Sequence, residues 1–210
     1  MNGPVLSFDL TGTLSTFNFC DSVYFEGLPR LYSVTHDVDV EEARGYLTQC
    51  YDEVGDHEAD WYDIAYWFDR FRLGDGWHGL LHEYSRNIEF FPDAEPVLKN
   101  LSRKYEIILV SNACSAFLDF ELVSFKQYFS RIISCVSDFR QVKKTSEFYR
   151  KLCDHIDRQP GEIIHVGDHW QFDFIAPTGA GLKAYYLDRK GISNGDGVIH
   201  TLHELEDKLL

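Results

Sequence analysis

Pro4-Val5-Leu6-Ser7-Phe8-Asp9-Leu10-Thr11-Gly12-Thr13-Leu14 is the stretch whose reading decides the fold. Pro4-Val5-Leu6 is a short apolar run, the pattern of a strand buried in a sheet. The run ends abruptly in Asp9, Thr11, Gly12 and Thr13. Open α/β sheets carry their chemistry at the carboxyl ends of their strands. Asp9 is therefore placed where a nucleophile or a metal ligand would sit. Gly12 permits a sharp backbone turn beside it, and the turn offers hydroxyls and free amides to an anion.

The same pattern recurs downstream. Tyr105 to Val110 is an apolar strand ending in Ser111-Asn112, and Ile132 to Val136 is another. Ile163 to Val166 ends in Gly167-Asp168, and Lys183 to Leu187 is the last strand expected. Helical periodicity fills the intervals, at 92–101, about 115–126, Lys144 to about Ile156, and a closing helix from Thr201 to Leu210. Strands alternating with helices predict an α/β fold with a doubly wound, mostly parallel sheet.

Residues 17–91 are of another kind. They hold 16 acidic residues, 5 arginines and no lysine, a local charge of −11 within a total of −14, and three of the four tryptophans. Three- and four-residue apolar spacing predicts helices at Asp21 to about Leu28 (stopped near Pro29), Val40 to Tyr51, Asp60 to Leu73 and Trp77 to Asn87. The aromatic stripes read as the core of a small helical bundle. His78 and His82, four apart, read as a solvated or packing pair without a third ligand.

Composition excludes several classes. The negative charge argues against nucleic acid and anionic membrane as partners. No apolar run approaches the length of a membrane span, and no secretory leader is evident, so a cytoplasmic protein is expected. The five cysteines are odd in number, scattered and never spaced C-x-x-C, which reads as buried thiols in a reducing compartment.

Taken in order, the strand ends resemble the motifs of the haloacid dehalogenase superfamily. The first is Asp9-Leu10-Thr11-Gly12-Thr13 and the second Ser111-Asn112. The third is Lys143 in Val142-Lys143-Lys144-Thr145, with Lys144 as the alternative lysine, and the fourth is Gly167-Asp168 with Asp173. The resemblance implies a Rossmann-like core of residues 1–16 and 92–210, with a helical cap, 17–91, inserted between motifs one and two. It also implies roles. Asp9 would be the nucleophile on a phosphoryl group, and Lys143 would neutralise charge. Ser111, Asn112 and Thr13 would bind phosphoryl oxygens. Mg²⁺ would be held by Asp9, the Thr11 backbone carbonyl and Asp168, with Asp173 orienting the ligands. The expected reaction is Mg²⁺-dependent phosphatase chemistry on a small phosphorylated metabolite.

One position departs from the family pattern. Thr11 stands where family phosphatases usually carry a second Asp as general acid and base, a function worth about 10²–10⁴-fold. Slow turnover, an activated leaving group or a substitute acid such as His169 would follow. Two other readings compete. A 2-haloacid dehalogenase would use Asp9 on carbon with help from a cap arginine, Arg30 or Arg44, but the retained Gly167-Asp168 argues for a metal site. A non-catalytic phosphate- or protein-binding module would leave Asp9, the lysine and Asp168 without purpose.

Overall fold

The computed structural model describes residues 3–209. Met1 and Asn2, at the start of the expected core, and Leu210, the end of the expected closing helix, lie outside them. Six parallel strands form one sheet: β1 Val5–Phe8, β2 Glu106–Ser111, β3 Arg131–Ser134, β4 Ile163–Gly167, β5 Lys183–Leu187 and β6 Val198–Ile199. Their spatial order is β3-β2-β1-β4-β5-β6. The expected α/β fold is therefore present, with a sheet parallel throughout. β1 lies at its centre, with Ser7 opposite Ile108 of β2 and His165 of β4. The strand order reverses direction about β1, which opens a crevice beyond its carboxyl end.

Alternation along the strands explains the two layers of helices. Leu6, Phe8, Ile107 and Leu109 face one side, where α6 (Ala94–Leu101) and the closing helix Leu202–Leu209 cover them. Val5, Ile108, Val110 and Ile163 face the other, against α9 (Ser146–Ile156). Successive side chains of a strand point to opposite faces, so apolar runs without alternation are buried on both. α9 starts at Ser146 because the Thr145 hydroxyl accepts the Phe148 N–H and caps it. β6, the short α7 (Ser115–Glu121) and α8 (Cys135–Phe139) differ from expectation. Cys135 and Val136 leave the sheet because the Ser134 hydroxyl caps a helix there instead.

Between β1 and β2 lie α1 (Asn18–Ser22), α2 (Leu28–His36), α3 (Val40–Val54), α4 (Ile64–Arg70) and α5 (Trp77–Tyr84). α3 begins after Asp39, whose carboxylate accepts the Glu41 and Glu42 N–H groups. α4 begins later than expected because Asp63 caps it through Ala65 N–H. Pro29 does not stop the first helix. A wider turn over Val23–Gly27 joins α1 to α2, and Pro29 falls in the first turn of α2, where its missing N–H costs little. Gly27 lies in that turn because a Cβ there would come within 2.8 Å of the Tyr84 ring. Trp67, Phe68, Phe71 and Leu81 form the centre of this segment's own core, which extends onto Phe117 of α7. His78 and His82 are exposed.

The chain enters and leaves this segment at one place. Thr16 N–H donates to Glu89 O at 2.8 Å, and Phe91 N–H to Leu14 O at 2.9 Å, so the two crossings run side by side. All five cysteines are free thiols, four of them buried. Among the described residues no helix is long and apolar enough to cross a membrane.

Candidate active site

Asp9 is the first residue beyond β1. Its N–H donates to Val166 O at 2.9 Å, which pins the strand end against β4. The chain then coils tightly, with the N–H groups of Thr13, Leu14 and Ser15 all directed at Leu10 O. Gly12 has φ +85°, and a Cβ on it would lie 2.2 Å from Asp168 Oδ2. Only glycine combines that backbone with that approach, so Gly12 is what lets Asp168 reach the first loop. Gly167 does the same for Asp173, whose Cγ would lie 2.3 Å from a Cβ.

The lysine at the site is Lys144, not Lys143. Lys144 Nζ donates to Asp9 Oδ1 at 2.6 Å and to Val110 O at 3.4 Å, and it lies 2.5 Å from Asp173 Oδ1. Its side chain is 2% exposed. Lys143 instead donates to Asp56 Oδ1 in the helical segment, at 3.1 Å, near the surface. Lys143 has φ 62°, a left-handed turn that sends two adjacent side chains to opposite sides of the loop. The signal available in the sequence was Thr145, a helix cap that places the residue before it at the base of α9.

Asp173 is fully buried and committed. Its Oδ1 accepts from Lys144 and from His165 Nε2 at 3.0 Å, and its Oδ2 from His169 N–H at 3.0 Å. A carboxylate only accepts, so His165 carries its proton on Nε2 and takes the Ser7 hydroxyl on Nδ1, at 2.8 Å. Burial lowers the affinity of His165 for a second proton. This chain from Ser7 through His165 to Asp173 was not foreseen; its one trace in the sequence is a lone histidine in an apolar strand. Arg189 was also not foreseen. It forks onto Asp93 at 3.0 and 3.1 Å and donates to Thr13 O at 2.7 Å, bracing the first loop.

Thr13 is placed differently from expectation. It is completely buried, with its hydroxyl 3.3 Å from Asp168 Oδ1 and 3.5 Å from Asp9 Oδ2, so it positions carboxylates beneath the cavity. Ser111, at the end of β2, and Asn112 line the cavity, as do Thr11 and Asp168. The Ser111 hydroxyl accepts the Ala113 N–H. Asn112 Oδ1 is buried without a hydrogen-bond partner. An unpaired buried acceptor costs about 1–3 kcal/mol, and a hydrogen-bond donor is what would satisfy it.

Charge at the site is unbalanced. Asp9, Asp168 and Asp173 each offer an oxygen within 4.8 Å of the others, against the single ammonium of Lys144. Burial pushes Asp9 up to about 7; Lys144 opposes the shift, while Asp173 and Asp168 add to it. Burial and Asp173 also raise Asp168. For Asp173, burial is outweighed by Lys144, which holds it below the usual carboxylate range. For Lys144, the two carboxylates outweigh burial and keep it charged. An all-oxygen donor set with excess negative charge fits a hard divalent cation such as Mg²⁺.

A cavity of about 270 Å³ stands over these groups, walled on its far side by aromatic residues of the helical segment. A family model for haloacid dehalogenase-like hydrolases matches residues 5–181. The chain belongs to that family and is a hydrolase of the haloacid dehalogenase superfamily. No curated protein matches it in sequence. Among solved structures, it is similar to a phosphatase of this superfamily from Thermococcus onnurineus, at 23% identity and TM-score 0.83, over 98% of this chain and 97% of the other. It is also similar to a 2-haloacid dehalogenase from Pseudomonas syringae pv. Tomato DC3000, at 20% identity and TM-score 0.70, over 99% and 98%. A Bacillus subtilis protein of the same hydrolase type, in a structure bound to magnesium, is similar at 17% identity and TM-score 0.68, over 100% and 99%.

Proposed function

We propose that the protein is a Mg²⁺-dependent phosphatase of small phosphomonoesters that works through an aspartyl-phosphate at Asp9. The observation that carries this reading is the convergence of Asp9, Asp168 and Asp173 around Lys144 at the carboxyl edge of the sheet. Asp9, Asp168 and the Thr11 carbonyl would hold the cation. When bound, it supplies positive charge between the attacking carboxylate and the phosphoryl oxygens.

Asp9 attacks phosphorus, the bond to the leaving oxygen breaks, and water later releases phosphate and restores the carboxylate. Lys144 opposes the effect of burial on Asp9 and fixes its rotamer through Oδ1. Ser111 and Asn112 orient phosphoryl oxygens. The helical segment acts as a cap that limits water at the site. Assisting the leaving group falls to another residue, since Thr11 has no acidic proton. His169 lines the cavity, and its Nδ1 accepts the Phe172 N–H at 3.2 Å. In the neutral ring the proton therefore sits on Nε2, which can donate a hydrogen bond to the leaving oxygen while water delivers the proton.

A haloacid dehalogenase reading is less well supported. Its substrate carries a carboxylate that needs a cation. Neither Arg30 nor Arg44 lines the cavity, and Lys144 is already engaged. The test is hydrolysis of an aryl phosphate with and without Mg²⁺, with Asp9→Asn as control. Mg²⁺-dependent phosphate release lost in the variant is expected. Halide release from short 2-haloacids without phosphate release would replace the reading with the dehalogenase one, and activity in neither assay would leave a binding module.

A further inference from the structure

The cavity above Asp9 has a chemical character that the phosphatase reading does not require. Tyr24 stacks on Phe117, with ring centroids 5.5 Å apart and planes at 13°, and on Trp61, at 6.1 Å and 19°. These rings, with Tyr51, Tyr62 and Phe25, wall the cavity. Three tyrosines would ordinarily make such a wall polar. Here their hydroxyls are spent on the main chain: Tyr24 on Tyr62 O at 3.3 Å, Tyr51 on Tyr24 O at 3.1 Å, and Tyr62 on Asp56 O at 3.2 Å. What remains for a ligand is ring surface and hydroxyl oxygens that can only accept. At the mouth, Phe17 and Phe25 are 53% and 41% exposed, so the entrance is apolar as well.

Charge points the same way. Among the described residues, Lys144 is the one cation in the lining, and its three protons face Asp9, Asp173 and Val110 O. The charge that the helical segment adds to the lining is a carboxylate, Asp21. A substrate with a second phosphate or a carboxylate would bury that group without a partner, which is costly. A sugar phosphate would find few donors for its hydroxyls.

Resting on the phosphatase reading, we infer that the substrate is the phosphate monoester of an uncharged, apolar alcohol, with an aromatic or similarly flat group seated against Tyr24, Trp61 and Tyr51. The phosphoryl end is held by Asn112 and Ser111, and the remainder contributes apolar area only. Discrimination against a charged analogue is the sharper half of the inference, because apolar pockets separate neutral relatives weakly.

The test compares kcat/KM with Mg²⁺ for benzyl phosphate, 4-carboxybenzyl phosphate and glycerol 3-phosphate, all esters of primary alcohols, with acetyl phosphate as a small reference. Benzyl phosphate is expected to exceed both by about tenfold or more, the scale on which one apolar group or one unpaired charge discriminates. Phe25→Arg, at the exposed mouth, supplies the missing cation and is expected to raise the 4-carboxybenzyl to benzyl ratio by about tenfold. Equal turnover of the three esters, or a ratio unmoved by Phe25→Arg, would overturn the inference while leaving the phosphatase reading in place. Absence of phosphate release from every ester and from acetyl phosphate would instead remove the phosphatase reading, and this inference with it.

Discussion

Two adjacent lysines allow the site to be tested by a paired substitution. Lys144→Met removes an ammonium that is 2% exposed and lies 2.6 Å from Asp9 and 2.5 Å from Asp173. Two buried carboxylates are then left without a counter-charge, a loss of about 3–5 kcal/mol for a broken buried pair. Lys143→Met removes a contact whose partners are 35% and 65% exposed, 3.1 Å apart, which is worth about 0–1 kcal/mol. Urea unfolding at pH 8 in EDTA, followed by circular dichroism, reads both values on one scale. Lys144→Met is expected to lose a large part of the total stability and all aryl phosphatase activity. Lys143→Met is expected to retain both. A Lys143→Met enzyme that lost activity while Lys144→Met kept it would refute the placement. Equal small losses of stability would refute the claim that Lys144 compensates the carboxylates.

Other predictions follow from single contacts. Glu121 is 5% exposed and accepts the Ser15 hydroxyl, and burial pushes its carboxyl up to about 7 from 4.5. A raised carboxyl destabilises the fold when ionised, so stability falls as pH rises from about 4.5 to about 7 and is level above. Glu121→Gln should therefore stabilise by about 3 kcal/mol at pH 8 and by almost nothing at pH 4, by urea titration at both; the same gain at both pH values would contradict this. Gly167→Ala should displace Asp173 from Lys144, His165 and His169 N–H, lowering kcat about 10²-fold and destabilising by about 3–5 kcal/mol, the scale of a broken buried ion pair. Thr11→Asp should speed steady-state hydrolysis, by up to about 10²–10⁴-fold if it restores the missing acid. His169→Ala should slow esters of poor leaving groups more than aryl phosphates, since only the former need a hydrogen bond to the leaving oxygen.

The sheet was legible because its strands are buried on both faces and end in polar residues. Apolar runs such as Ile107 to Val110 have few other readings, and the ends at Asp9, Ser111 and Gly167 fall together once the strands are parallel. Element edges were less legible because they depend on caps. Asp63 and Ser134 moved a helix start and ended a strand by single side-chain bonds. Pro29 resembles a stop in the sequence, but the wide turn before it lets the helix resume, and Gly27 in that turn packs on Tyr84, 57 residues distant in sequence. The choice between Lys143 and Lys144 rests on one left-handed residue, whose trace in the sequence is only the Thr145 cap that follows. His165 and Arg189 were invisible for a related reason. Their roles come from partners that only the folded chain brings near.

The paired crossings at Leu14–Thr16 and Glu89–Phe91 have a consequence for substitution. A segment whose two ends lie side by side can change without shifting the register of the strands on either side. Tyr24, Trp61 and Tyr51 belong to that segment, whereas Asp9, Lys144 and Asp168 do not. Mutation in that segment can therefore reshape the far wall of the cavity without disturbing the groups held at the strand ends.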